Sequence, residues 1–309
     1  MSLLVVGSVA LDSIETPFGK VQDAVGGSAT FFSAAASLFT PVQLVGVVGD
    51  DYPMQELEFL RARGVDMAGL TKADGESFRW SGVYSFDLNS RETLETRLGV
   101  FAAFKPVIPP SFRTAEWLFL GNIDPELQLE VLQQVERPKL VACDTMNFWI
   151  EGKNAALMEL LSHVDLLMVN DGEARQLSGE HNILKAARWI QSKGPSMVVI
   201  KKGEHGAILF ARDFSFFAPG FPLEDICDPT GAGDAFAGGF VGYLARGGTL
   251  DDAHLRRAMI YGSAMGSFAV ERFGLERFID LRHDEVQQRV RLFRDYTGFE
   301  DGVFVPTNV

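Results

Sequence analysis

Six short apolar runs, each the length of one buried strand, recur along the chain with helical patterns between them. They occupy residues 3–6, 42–48, 117–120, 140–143, 166–169 and 197–200. The helical patterns fall at 29–39, 54–63, 125–135, 155–161 and 183–191. A strand that is apolar throughout must be covered on both faces, and intervening helices can supply that cover. The pattern therefore predicts an α/β fold with a mainly parallel central sheet and helices on both faces. In such sheets ligands gather at the carboxyl ends of the strands, where Asp144, Asn170 and Lys202 stand.

Two segments break the alternation. Phe78, Trp80, Tyr84 and Phe86 alternate with polar residues, as do Leu94, Leu98 and Val100, with Asn89-Ser90-Arg91 able to turn the chain between them. This predicts an antiparallel hairpin with one apolar face. Residues 12–25, with Pro17-Phe18-Gly19 at their centre, suggest a second hairpin. A helix over 285–296 and a short apolar tail close the chain. The 309 residues, 47% hydrophobic, suffice for one large domain over 1–309.

The densest chemical signal is Asp228-Pro229-Thr230-Gly231-Ala232-Gly233-Asp234-Ala235-Phe236, followed by a helical pattern to Ala245. Such a turn aims backbone N–H groups of Gly231, Ala232 and Gly233 into one space, and the helix start adds partial positive charge. A phosphate fits there, with Asp234 beside it as a proton acceptor for a hydroxyl. A phosphate cradle with an adjacent base can move a phosphoryl group onto an alcohol. The plainer alternative is a glycine turn whose Asp234 caps a helix. No G-x-x-x-x-G-K-[ST], G-x-G-x-x-G after the first strand, H-E-x-x-H or G-x-S-x-G occurs.

Residues 228–236 resemble the C-terminal signature D-[TP]-T-G-A-G-D-x-F of the PfkB, or ribokinase-like, kinases. The N-terminal signature of that family is matched by Gly26-Gly27-Ser28-Ala29-Thr30 and, after the strand 42–48, by Gly46, Gly49, Asp50 and Asp51. The resemblance covers essentially the whole chain. It implies a three-layer ribokinase-like fold with a small β-sheet lid, here from about 11–25 and 76–104, over the acceptor site. It implies ATP-dependent phosphorylation of a hydroxyl with Asp234 as base and Gly231–Gly233 as anion hole. A sugar or sugar acid is the first acceptor considered and a nucleoside the second; a non-catalytic binder of sugar or nucleotide is a third reading.

Further roles follow from the resemblance. Asn170 and Glu173, in the pattern N-x-x-E, would hold Mg2+ through its water shell, although the same residues suit a helix cap. Asp228 and Thr230 match the positions implied for a monovalent cation, K+. Lys202, Gly203 and Gly206 would lie on the nucleotide side, or form a plain hairpin turn. The segment 258–273, ending at Gly274, would wall the adenine pocket. Asp12, Gly26 and Gly27 match positions that hold acceptor hydroxyls, with Asn147 a further candidate. The chain departs from the pattern at Phe31, where many sugar kinases carry Asn, and in lacking the arginine of acid-sugar kinases near Asn147. Phe31, Phe32, Phe148 and Trp149 could line a site for a flat ring or belong to the core.

Charge and cysteine usage bound the partners. With 28 Lys and Arg against 41 Asp and Glu, the formal charge of −13 disfavours nucleic acid and anionic membranes as partners. No run of about eighteen apolar residues predicts a membrane span. Cys143 and Cys227, far apart and without a C-x-x-C, suggest reduced thiols and a cytoplasmic protein. The lid's aromatic stripe is also compatible with a homodimer contact.

Overall fold

Each of the six apolar runs forms a strand in the computed structural model, which describes residues 2–298. The strands are β1 (Leu3–Val6), β2 (Ala10–Thr16), β3 (Gly19–Gly26), β4 (Val42–Val48), β5 (Val65–Lys72), β6 (Phe78–Tyr84) and β7 (Arg91–Arg97). They continue with β8 (Trp117–Leu120), β9 (Leu140–Asp144), β10 (Leu166–Asn170), β11 (Met197–Lys201), β12 (Ala207–Phe210) and β13 (Ser215–Ala218). The helices are α1 (Ser28–Ala36), α2 (Glu58–Ala62), α3 (Pro125–Leu132), α4 (Asn147–Gly152), α5 (Asn154–Leu161) and α6 (Asp171–Ser178). After them come α7 (Ile183–Gln191), α8 (Ala232–Gly247), α9 (Asp252–Ala269), α10 (Glu276–Asp280) and α11 (His283–Thr297). The apolar tail read after the last helix lies outside the described residues.

Nine strands form the central sheet in the order β13-β12-β11-β10-β9-β8-β1-β4-β5. The seven from β11 to β5 are parallel, and β12 and β13 add an antiparallel edge. Alternate residues of each strand feed two separate cores. Leu3 and Val5 pack with α1, α8 and α9, whereas Leu4 and Val6 pack with α3, α5, α6 and α7. This two-sided burial is why the inner strands read as continuous apolar runs. In register, Asn170 pairs with Lys201 and Met168 with Asp144, so the carboxyl ends of β9, β10 and β11 open onto one side.

A second sheet, β3-β2-β6-β7, stands apart from the first and is built from the two hairpin regions. Its root is tied to the loop after β4. Asp51 accepts hydrogen bonds from the Ser77 N–H and hydroxyl, both at 2.8 Å, and pairs with Arg79 at 2.6 Å. Burial alone would raise the Asp51 carboxyl, but the Ser77 and Arg79 contacts outweigh it and hold the group at about 2. The hairpin of β6 and β7 differs from expectation in its turn and in its apolar face. Its turn ends at Ser90, so Arg91 is a strand residue opposite Tyr84. Leu94 is exposed, because β7 is an edge strand with only β6 beside it; Leu98, also exposed, follows β7, and Val100 lies in a short helical turn.

Candidate active site

The 228–236 run forms a tight loop into α8, with Gly231 as the residue before the helix at φ +74°. A β-carbon there would overlap the ring of Phe31, which is buried directly beneath the turn. The Ala232 N–H donates to the Pro229 carbonyl at 3.2 Å. Among the described residues, the N–H groups of Gly231, Gly233 and Asp234 have no protein acceptor. These three donors sit at the positive end of a sixteen-residue helix, an arrangement suited to an anion. The free donors differ from the expected Gly231, Ala232 and Gly233: the Ala232 N–H is used within the loop, and the Asp234 N–H stands in its place.

Asp234 stands in the first turn of α8, where burial, and then the nearby charge of Asp144, push its carboxyl up to about 7. Lys201 and Arg91 oppose that rise. Lys201 closes β11 and reaches Asp144 Oδ2 with its ammonium at 2.8 Å. Burial works against the Lys201 charge, but Asp144, Glu173 and Asp234 outweigh it and hold the ammonium above its ordinary value. Asn170 and Glu173 form a reciprocal capping box at the start of α6, the Asn170 side chain accepting from Glu173 N–H and the Glu173 carboxylate from Asn170 N–H, each at 2.8 Å. Glu173 Oε2 is thereby used, while burial and the Asp144 charge raise the Glu173 carboxyl to about 7. The cap is thus a structural fact, and the side chain still belongs to the same acidic group.

Across the cleft, Asp12 is a buried residue of strand β2. Burial, and then the Asp228 charge, raise its carboxyl to about 7. Gly26 is pressed against the Asp12 carboxylate, and Gly27, at φ +97°, would place a β-carbon 2.5 Å from the Ser8 carbonyl. Asp228 is fully buried and accepts from Thr230 N–H at 2.8 Å and Gly274 N–H at 3.4 Å. Burial raises its carboxyl. Gly274 therefore touches Asp228, and a β-carbon on it would also lie 3.3 Å from Ala24 and Val25 of β3. The helix expected over 258–273 runs instead from Asp252 to Ala269.

The lid's inner face carries residues that the motifs did not single out. Asp12 is the register partner of Trp80, so the two share a face, as does Tyr84 four residues on. Thr230 donates its hydroxyl to Tyr84 Oη at 3.1 Å, which brings the lid onto the signature loop. Arg91, opposite Tyr84, lies 5.5 Å from the Trp80 ring centroid. Of the aromatic residues considered for a flat ring, Phe31 and Phe32 are core, Phe32 stacking on Phe119 at 4.2 Å. Phe148 is 62% exposed and Trp149 donates to Asn122. Asn147 is exposed at the first residue of α4, three positions beyond Asp144.

On the remaining side, Gly203 and Gly206 occupy a turn closed by Lys202 N–H to Gly206 carbonyl at 2.7 Å, between the antiparallel β11 and β12. The hairpin-turn reading is correct for the backbone. A β-carbon on Gly203 would come 3.0 Å from Asn89 Oδ1 at the tip of the lid. Lys202 closes this turn while its neighbour Lys201 enters the site. Lys201 ends β11 and Lys202 begins the turn, so strand alternation carries the first towards the cleft and leaves the second outside it.

The sequence pattern of the pfkB family of carbohydrate kinases matches residues 2–280. The chain belongs to that family. It is 31% identical to the cytidine kinase of Thermococcus kodakarensis, over 82% of this chain and 91% of the relative. The aminoimidazole riboside kinase of Salmonella enterica, solved with its riboside and an ATP analogue, superposes with a TM-score of 0.74 at 23% identity, covering 94% of this chain and all of that one. An Escherichia coli structure with bound ATP and Mg2+ superposes at 0.76 with 20% identity, covering 94% and 99%. This pfkB kinase is thus a phosphotransferase with a hydroxyl acceptor, on a mainly parallel sheet with a separate lid. Among the described residues no helix is long and apolar enough to cross a membrane, and both cysteines are free.

Proposed function

We propose that the chain transfers the γ-phosphoryl group of ATP to a hydroxyl of a nucleoside. The observation that carries this reading is Asp234 beside three unpartnered N–H groups, facing a second buried carboxylate, Asp12, under an aromatic lid face. Asp12 would accept hydrogen bonds from two acceptor hydroxyls, with the Gly26–Gly27 backbone alongside. Asp234 would take the proton of the attacking hydroxyl. That oxygen forms the new bond to the γ-phosphorus as the bridging P–O bond to the β-phosphate breaks, and ADP leaves with that electron pair. The N–H groups of Gly231, Gly233 and Asp234 stabilise charge on the transferring oxygens.

The donor set suits Mg2+. Glu173 retains one carboxylate oxygen outside its cap, Asn170 stands beside it, and no three acids or histidines among the described residues group closely enough to hold a metal alone. Magnesium keeps several waters and shares phosphate oxygens, so one or two side chains serve. When bound, it would neutralise charge on the nucleotide phosphates. The buried and raised Asp228, with Thr230, supports a K+ site behind the anion turn. The Lys202–Gly206 turn would flank the nucleotide. A nucleoside is preferred to a sugar because Trp80 offers a ring face beside Asp12 and because the 31% relative is a cytidine kinase. The reduced thiols support a cytoplasmic setting, and the exposed outer side of β7 is where a second copy would pair.

Turnover of ATP and Mg2+ against nucleosides, sugars and sugar acids tests the reading. Phosphorylated nucleoside is the expected product; sugar phosphate alone would return the acceptor to the simpler class, and no product with retained ligand binding would favour a binder. The lid anchor gives a second result. Asp51→Ala removes the acceptor of two Ser77 hydrogen bonds and one partner of Arg79, which then keeps Asp23 at 3.2 Å. Hydrogen bonds to a charged group contribute about 1.5–3 kcal/mol, so the acceptor KM should rise about 10-fold or more. The change in kcat should be smaller, and steady-state kinetics separates the two.

A further inference from the structure

We infer that Lys201 is a catalytic residue whose ammonium binds a non-bridging oxygen of the transferring phosphoryl group, with Asp144 as the residue that positions it. The inference deepens the phosphotransfer reading and rests on it. Its basis is a convergence of donors. A β-carbon built on Gly233 would lie 3.0 Å from Lys201 Nζ, so the ammonium stands beside Gly233, whose N–H is one of the three unpartnered donors of the anion turn.

The Lys201 side chain is 16% exposed and that of Asp144 is 7%. An ammonium carries three N–H donors. Among the described residues, Asp144 Oδ2 is the one hydrogen-bond acceptor in reach, at 2.8 Å. The other two donors have no acceptor among the described residues, and Gly233 is the backbone beside them. A mostly buried cation with unused donors is costly unless a ligand completes its shell. Three backbone N–H groups with unused hydrogens belong to the same turn, and a phosphoryl group offers several oxygens that can accept from the turn and from the ammonium. The charge of Asp144, then of Glu173 and Asp234, outweighs burial and favours the charged ammonium.

The bland alternative is that Lys201 merely neutralises Asp144 across the ends of β9 and β11. The two roles separate in a nucleotide-binding experiment. Calorimetry would compare ADP with a non-hydrolysable ATP analogue, both with Mg2+, in the wild-type protein, Lys201→Met, and the double variant Asp144→Asn/Lys201→Met. Loss of a charge-assisted hydrogen bond predicts about 10- to 100-fold weaker analogue binding, with ADP affinity changed much less. Loss of a transition-state donor predicts a kcat lower by about 10²–10³-fold in both variants. Lys201→Arg, which keeps the charge, should recover part of that loss.

Equal weakening of ADP and analogue, or recovery of wild-type kcat in the double variant, would overturn the proposal, because neutralising Asp144 would then be the whole role of Lys201. Should the unpaired Asp144 prevent Lys201→Met from folding, the double variant leaves neither charge buried and carries the same two readouts. The binding comparison needs no acceptor. If the wild-type protein turns over no acceptor at all, the proposed function fails while the phosphate-discrimination result still decides for or against Lys201.

Discussion

Asp234→Asn lowers kcat by about 10²–10⁴-fold, the ordinary consequence of removing a general base, with little change in nucleotide affinity. The asparagine keeps the shape of the first turn of α8 and its N–H, so the anion turn survives the change. The wild-type pH profile gives an independent check. Burial and the Asp144 charge raise the Asp234 carboxyl to about 7, so the proton leaves only near neutrality. A base acts when ionised; the acid limb of kcat/KM should therefore fall through about pH 7 and not near the ordinary carboxylate value of 3.8. Arg91 and Lys201 pull the other way, so Lys201→Met should move that limb to higher pH. An acid limb that stays near 4, or a full rate in Asp234→Asn, would remove Asp234 from the role of base.

Gly231→Ala should destabilise the protein by about 2–5 kcal/mol and abolish turnover. The left-handed φ of +74° costs a residue with a β-carbon about 1–2 kcal/mol. The added carbon also overlaps the buried Phe31 ring, and overpacking of this kind costs about 1–3 kcal/mol. Relief by movement of the loop would pull the Gly233 and Asp234 N–H groups off the phosphate. Gly64→Ala is the matched control. Its φ is +85° and nothing lies within 4 Å of the added carbon, so only the conformational part should appear. Denaturant unfolding of the two variants separates the terms; equal losses would mean that Phe31 is not the obstacle.

The central strands were legible because they are covered on both faces, so their apolar character is unbroken. β5 was not read, since it is the sheet's edge, mixes exposed Asp66 and Ala68 with buried Val65 and Gly69, and shifts register against β4. β13 escaped for the same reason, with Ser215 and Phe217 exposed. At the site, the glycine turn, Asp12 and the N-x-x-E pair were visible as motifs. Lys201, Tyr84, Trp80 and Arg91 were not, because their positions depend on the parity of a strand or on which lid residues oppose one another. Arg91 shows the difficulty well: a one-residue change in where the hairpin turns converts a loop arginine into a strand residue opposite Tyr84.

The lid hairpin bears on both halves of the cleft. Its Trp80 is the register partner of Asp12, its Tyr84 meets Thr230, and its Asn89 tip comes against Gly203. An element stabilised by two different ligands ties their affinities together, and thermodynamic linkage requires the tie to be reciprocal. Whatever factor the acceptor adds to nucleotide affinity, the nucleotide adds to the acceptor's. ATP alone therefore meets a hairpin held from one side only, which is the state least able to keep water from its terminal phosphate.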